Sequence, residues 1–347
     1  MSDHRARRTD DATASGFDLL KREIAARWSL LSSADSPWRD PGLYGHPLDS
    51  DDHWILAGRW DTYSEKPARA RIHPLLGWTQ GPILPHAPLG LIEETTRRLV
   101  RDGRPKVLFY GDSYVSGDSE QENWLPQQMD ARFTGVDVLH LGVGGYGTGQ
   151  MHLLFRETIG LVDRPRVVLM GVMPFSFDRA VLRVRSYQKP TFRVDGRGQL
   201  GITNVPIEPD PRRYYRRARL GFRSYVRRAA RHVQARTTAW TFDEKARVNE
   251  AIIEANCRLA ASVGAQLAYV VLHDHGELTE PDERTTFFHE ALAERGVPTF
   301  DTAKAVLDHA AARGTDGAEL YANGHHNDEG NQVIGRALGD WLEQFGL

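Results

Sequence analysis

The stretch Lys106–Gly117, KVLFYGDSYVSG, decides how this chain is read. KVLFY is a short run of mostly apolar residues between Pro105 and Gly111, the pattern of a buried strand. The chain then turns sharply through Gly111-Asp112-Ser113. A serine in a tight turn after a buried strand presents its hydroxyl at the top edge of a sheet. The free backbone N–H groups of such a turn can stabilise an oxyanion.

Working outward, the pattern repeats as strand and helix in alternation. A helix over 91–102 precedes the quoted strand, and one near 122–132 follows it. Val136–Leu141 (VDVLHL) reads as the second strand and leads into a glycine turn, Gly142-Val143-Gly144-Gly145-Tyr146-Gly147, and a helix from about 148. Val167–Met170 is a third strand, Gln266–Leu272 a fourth and Pro298–Phe300 a fifth. Helices are expected near 242–263, 283–295 and 328–344, with a loop over 313–327. Residues 190–205 read as a hairpin turning at Asp195-Gly196. Short apolar strands alternating with helices imply a mainly parallel sheet covered on both faces, with its site at the carboxyl ends of the strands.

The flanks are different. Residues 1–15 are polar and read as a disordered tail. Phe17, Leu20, Ile24, Trp28 and Leu31 share one helical face, so 16–32 reads as an amphipathic helix. Residues 33–90 are rich in Pro, Gly, Trp and His, and 16–100 as a whole reads as an extension packing on a core domain of 101–347. That domain carries an insertion at about 180–240. Its Arg212–Arg236 segment holds ten Arg and no Asp or Glu, which leaves 34 basic against 46 acidic residues elsewhere. The segment reads either as a solvated helix or as a docking surface for an acidic partner.

The 347 residues carry a formal charge of −2, which argues against a general nucleic-acid binder. A single Cys, Cys257, fits a reducing compartment. The first residues lack an apolar signal region, and no apolar run approaches the ~20 residues of a membrane span. A cytoplasmic protein is expected.

Past the ends of these strands stand three groups that suit one chemistry. Ser113 follows the first strand and the glycine turn the second. Asn323-Gly324-His325-His326-Asn327-Asp328-Glu329-Gly330 precedes the last helix. A serine hydroxyl is a weak nucleophile at neutral pH and needs a base such as a histidine. The three segments resemble the blocks of the SGNH (GDSL-type) hydrolases: GDSYVSG the nucleophile block, HLGVGGYGTGQ the glycine block, HHNDEGN the histidine block. His73–Trp78 (HPLLGW) and the Lys189–Pro206 hairpin resemble a subgroup linked to polysaccharide modification. The likeness runs over roughly 70–345.

The resemblance implies a three-layer α/β/α, flavodoxin-like sandwich. It also implies an esterase acting through a Ser113 acyl-enzyme on a small acyl ester, O-acetyl among the options, of a carbohydrate or small metabolite. His325 would be the base, and the N–H groups of Ser113 and Gly145 would form the oxyanion hole. Asp112, Tyr114, Gly144, Tyr146, Phe177 and His326 would line the substrate site. The chain departs from the family twice. Phe177 stands where an oxyanion-donating Asn is expected, with Ser176 as a possible substitute. Asn323 and Ala322 stand where an Asp is expected before the histidine, so Asn323 would orient His325, or else a Ser-His dyad or an Asp from elsewhere, such as Asp301, would serve.

Other readings remain. The same serine chemistry serves an acyltransferase, and the two departures suit a binding protein that keeps the fold without the reaction. Gly142–Gly147 also matches a dinucleotide fingerprint, but no acid ends the next strand as that fingerprint requires. Position 115 is Val, so the serine is not in a G-x-S-x-G elbow. The pairs His273/His275 and His325/His326 fit no standard metal spacing. No metal or cofactor is implied.

Overall fold

The computed structural model describes residues 72–79, 98, 103–117, 120–183, 188–209, 240–280 and 283–347. The proposed helix at 16–32, the extension apart from 72–79, the helix at 91–102 apart from Arg98, and the Arg-rich segment lie outside these. Two compact units divide the chain. The elements below all fall in one of them, spanning Ala68–Leu182, Lys189–Ile207 and Phe242–Leu347. In the other, the Gln188 side-chain oxygen accepts a hydrogen bond from the Glu208 N–H at 2.9 Å.

The main sheet has five parallel strands: β1 Lys106–Gly111, β2 Asp137–Gly142, β3 Pro165–Val172, β4 Gln266–Val271 and β5 Thr299–Asp301. Their spatial order is β2-β1-β3-β4-β5. This is the doubly wound flavodoxin order, and its switch point lies between β1 and β3. Strand β1 is buried along its whole length, so its apolar run serves both faces of the sheet.

Alternate residues feed two cores. Val107, Phe109, Val167 and Leu169 face one way and pack with α2 (Leu125–Arg132), α7 (Thr302–Arg313) and α8 (Asp328–Leu342). Val333, Ile334, Leu338 and Leu342 supply the α8 stripe at 3/4 spacing. Against the opposite face lie α3 (Thr148–Ile159) and α5 (Phe242–Ser262). There the Tyr110 and Phe155 rings stand 5.4 Å apart, and Tyr110 and Thr158 share a 2.6 Å hydrogen bond between hydroxyls. The three-layer α/β/α sandwich is therefore the observed fold.

The expected hairpin forms as Thr191–Val194 paired with Leu200–Thr203, with Asp195 accepting from the Arg197 and Gln199 N–H groups in the turn. Two elements differ from expectation. Helix α7 was not expected; it follows β5 directly, because Asp301 ends the strand and caps the helix through the Ala303 N–H at 2.8 Å. The segment near 122–132 splits into a short 3₁₀ turn at Gln121–Asn123 and α2, which carries Pro126 in its first turn.

Candidate active site

Ser113 opens α1, the four-residue helix Ser113–Ser116 at the carboxyl end of β1. Asp112 caps it, accepting from the Tyr114 N–H at 3.0 Å. The other Asp112 oxygen takes Arg179 Nη1 at 2.8 Å, and both side chains are buried. Arg179, at the end of α4 (Pro174–Arg179), also donates to the Tyr146 carbonyl at 3.2 Å. Asp112 is thus a buried structural residue tying the serine turn to the glycine turn, and it does not line a substrate cleft as its neighbourhood in sequence suggests.

The turn is also wedged sterically. A Cβ on Gly142 would lie 2.7 Å from the Ser116 backbone nitrogen and about as close to Val115. Only glycine lets the end of β2 pass this close to the serine turn.

His325 stands on a two-residue ribbon, Tyr321–Ala322 paired with His325–His326. Its Nε2 is 2.8 Å from Ser113 Oγ. Its Nδ1 is 3.3 Å from the backbone carbonyl of Asn323. A carbonyl only accepts, so Nδ1 carries the proton and Nε2 is left to accept from the serine hydroxyl. What His325 Nδ1 meets at Asn323 is therefore the main chain, where the sequence pointed to the side chain. Asn323 and Gly324 have φ of 51° and 77°, a left-handed pair that carries the chain tightly back to His325. Asp301, the other candidate, is engaged elsewhere: it bridges His273 Nε2 and His289 Nε2, each at 2.8 Å.

Tyr114 joins the two halves. Its hydroxyl donates to the Gly324 carbonyl at 2.7 Å, and its ring centroid is 4.9 Å from that of His325 and 5.0 Å from that of His326. Burial, reinforced by Asp274 and Asp112 nearby, pushes its pKa up, so the phenol stays protonated and able to donate. His326 is buried, and burial with the neighbouring His325 and His273 lowers its pKa to about 3. It is a neutral packing residue beside His325.

Gly144 lies against the serine: a Cβ there would be 3.9 Å from Ser113 Cβ. Among the described residues the backbone N–H groups of Ser113, Gly144 and Gly145 have no acceptor. Gly145 has φ of 81°.

Two expectations about substrate-lining residues are corrected. Tyr146 is fully buried, its hydroxyl donating to the Trp78 carbonyl at 2.6 Å. Phe177 is also fully buried, its ring packed on Phe242, Phe287 and Phe288 with centroids 4.9, 5.0 and 6.3 Å away. Helix α4 turns it into the core, so no side chain at 177 replaces the missing Asn. Ser176 is buried as well, its hydroxyl accepting from the N–H of the capping Met173 at 3.4 Å.

Arg179 and Trp78 are the residues that sequence reasoning missed. Trp78 Nε1 donates to the Gly144 carbonyl at 2.9 Å. His273, Glu277, His289 and Asp301 line a separate cleft of about 260 Å³ that includes neither Ser113 nor His325. Among the described residues no cluster of His, Cys, Asp and Glu has the arrangement of a metal site, and no helix is long and apolar enough to cross a membrane.

No protein-family model matches the chain, and no curated protein does. Similar solved structures include a lipolytic protein of the G-D-S-L family from Veillonella parvula DSM 2008. It is 12% identical with a TM-score of 0.39, covering 67% of this chain and 94% of that one. A G-D-S-L family protein from Desulfitobacterium hafniense DCB-2 is 13% identical with a TM-score of 0.37, covering 68% and 99%. A Bacillus subtilis protein is 11% identical with a TM-score of 0.42, covering 71% of this chain and 58% of that one. These likenesses concern the fold, and the chemistry rests on the residues themselves.

Proposed function

We propose that this chain is an SGNH-type serine esterase that cleaves a small acyl ester, with O-acetyl on a carbohydrate or small metabolite as the substrate class. The observation that carries the reading is the 2.8 Å contact between Ser113 Oγ and His325 Nε2, with the opposite ring nitrogen facing a backbone carbonyl. Two side chains 212 residues apart in sequence meet in the geometry that base-assisted nucleophilic attack requires.

Ser113 Oγ attacks the acyl carbon while His325 Nε2 takes its proton. The carbonyl oxygen becomes an oxyanion and is held by the N–H groups of Ser113 and Gly145. As the tetrahedral intermediate collapses, the C–O bond to the alcohol breaks and His325 returns the proton to the leaving oxygen. Water, deprotonated by His325, then attacks the acyl-enzyme, and the acid leaves as Ser113 recovers its proton. Asn323 contributes its carbonyl, which keeps the imidazole in the tautomer that can act as base. With a backbone carbonyl in place of a carboxylate, the imidazolium formed in the transition state is less stabilised, and a slower enzyme than a full triad is expected.

Intact-mass analysis after incubation with a fluorophosphonate tests this. One adduct on the wild type and none on Ser113→Ala is the expected result. A folded wild type that takes no adduct would overturn it.

A further inference from the structure

The oxyanion hole needs its N–H groups aimed before the substrate arrives, because reorganisation during reaction costs rate. Ser113 is fixed by its cap. The glycine turn is closed by the Tyr146 N–H on the Val143 carbonyl at 3.2 Å, a bond that leaves its central Gly144–Gly145 peptide unheld, and glycine-rich backbone can rotate such a unit at little steric cost.

A trans peptide is planar, and its C=O and N–H point in opposite directions. The Gly144 carbonyl and the Gly145 N–H belong to one such unit, since the only cis bond among the described residues is Val205–Pro206. Trp78 Nε1 holds that carbonyl at 2.9 Å. A carbonyl held on one side fixes the direction of the N–H on the other. The Gly145 N–H has no acceptor among the described residues, and Gly144 lies against Ser113.

Trp78 is itself held from several sides. His73 Nδ1 accepts from the Leu75 and Leu76 N–H groups at 3.2 and 3.1 Å, closing the turn in which Gly77 takes a φ of 93°. Gln150 Nε2 donates to the Leu76 carbonyl at 2.7 Å. Tyr146 donates to the Trp78 carbonyl, and the two rings meet edge to face 5.7 Å apart. The segment His73–Trp78 is a brace built to deliver one indole N–H.

We infer that Trp78 is a positioning residue for the oxyanion hole, locking the Gly144–Gly145 peptide so that the Gly145 N–H faces the substrate oxygen. The inference rests on the serine-esterase reading.

The test compares p-nitrophenyl acetate with its thiono analogue in wild type, Trp78→Phe, Tyr146→Phe and Ser113→Ala. Sulfur is the poorer hydrogen-bond acceptor, so a working oxyanion hole favours the oxygen ester. Trp78→Phe keeps an aromatic ring, smaller than the indole, and removes the donor. Oxygen-ester kcat is expected to fall by about 10- to 100-fold with KM little changed, short of the loss for deleting a donor outright. The oxygen-to-sulfur rate ratio is expected to fall with it. Tyr146→Phe loosens Trp78 without removing its N–H, and a smaller fall of the ratio is expected. It decides the matter if Trp78→Phe does not fold. A role in stability alone would slow both esters equally and leave the ratio at the wild-type value in folded variants, which would overturn the inference. Wild-type turnover that survives in Ser113→Ala would instead overturn the serine reading, and this inference with it.

Discussion

The serine turn and the histidine loop reach the same 2.8 Å contact by unlike means. The turn is over-determined. Asp112 is buried and paired with Arg179, and the end of β2 passes so close that Gly142 cannot carry a side chain. The loop is held by neutral hydrogen bonds, among them the Asn327 N–H on the Leu320 carbonyl at 3.0 Å and Asn327 Nδ2 on the Glu319 carbonyl at 2.6 Å. It is a two-residue ribbon with a left-handed Asn-Gly pair, joined to the serine side by the Tyr114 hydroxyl. Here Ser113 is built into the core and His325 is brought to it by a surface loop. Stability and activity therefore separate: damage to the turn should unfold the protein, and damage to the loop should slow it.

The largest effect should come from the turn. Arg179→Met leaves Asp112 buried without its cation and is expected to cost about 3–5 kcal/mol in denaturant unfolding. A loss below about 1 kcal/mol would mean that the turn is held by something other than this pair.

Acid should strike both regions through buried neutral histidines. Burial lowers His140, on β2 beneath the serine turn, to about 4, and His326 beside the base to about 3. Each stays neutral in the folded protein over a range where the unfolded chain, titrating near 6.5, is protonated. The unfolded state then binds more protons, so stability falls as pH drops from about 6.5 toward 4. Replacing His140 by Gln should remove about 3 kcal/mol of that pH dependence. An unchanged slope between those pH values would contradict the assignment.

The loop should show the opposite profile. Tyr114→Phe keeps the ring and loses one hydrogen bond to an exposed carbonyl, so unfolding should shift by only about 1 kcal/mol. Fluorophosphonate labelling of Ser113 should nevertheless slow by about tenfold, because a small misplacement of the base is costly. Equal rates with a large stability loss would reverse the comparison.

The smallest effect lies away from both. Asp301 raises the pKa of His289, while His273 and His289 hold the Asp301 carboxyl well below the usual range. The His289 contribution is full below about 6.5 and is lost as pH rises through its raised value. The Asp301 contribution is full above about 3.8 and is lost only as pH falls through its lowered value. His289→Gln should therefore weaken the protein slightly near pH 5 and not at all near pH 9, read as the difference in melting temperature from wild type at the two pH values.

Much of this was legible in the sequence. KVLFYG, DVLHLG and QLAYVV are buried strands because their apolar runs are too short for helices and end in glycine or polar turns. Helix α7 was missed, although it carries a capping Asp301 and apolar positions at Ala303, Val306, Leu307 and Ala310. A strand ending on a cap leaves no loop to mark the boundary. Ser113 was singled out by its turn after a buried strand together with the resemblance to the SGNH nucleophile block, and His325 by the resemblance to the histidine block. What stayed hidden were contacts bridging 66, 67 and 210 residues: Trp78 to Gly144, Arg179 to Asp112, Tyr114 to Gly324. Phe177 misled because its position along the chain matches a site residue while its helix turns it into an aromatic core.

The central claim is that His325 acts as the base for Ser113. The most direct measurement is the rate of Ser113 phosphonylation against pH, set beside the His325 imidazole titration followed by NMR. The account predicts a sigmoid rise in rate whose midpoint coincides with the His325 titration and which disappears in His325→Gln. A rate that ignores that titration, or that survives the substitution, would contradict it.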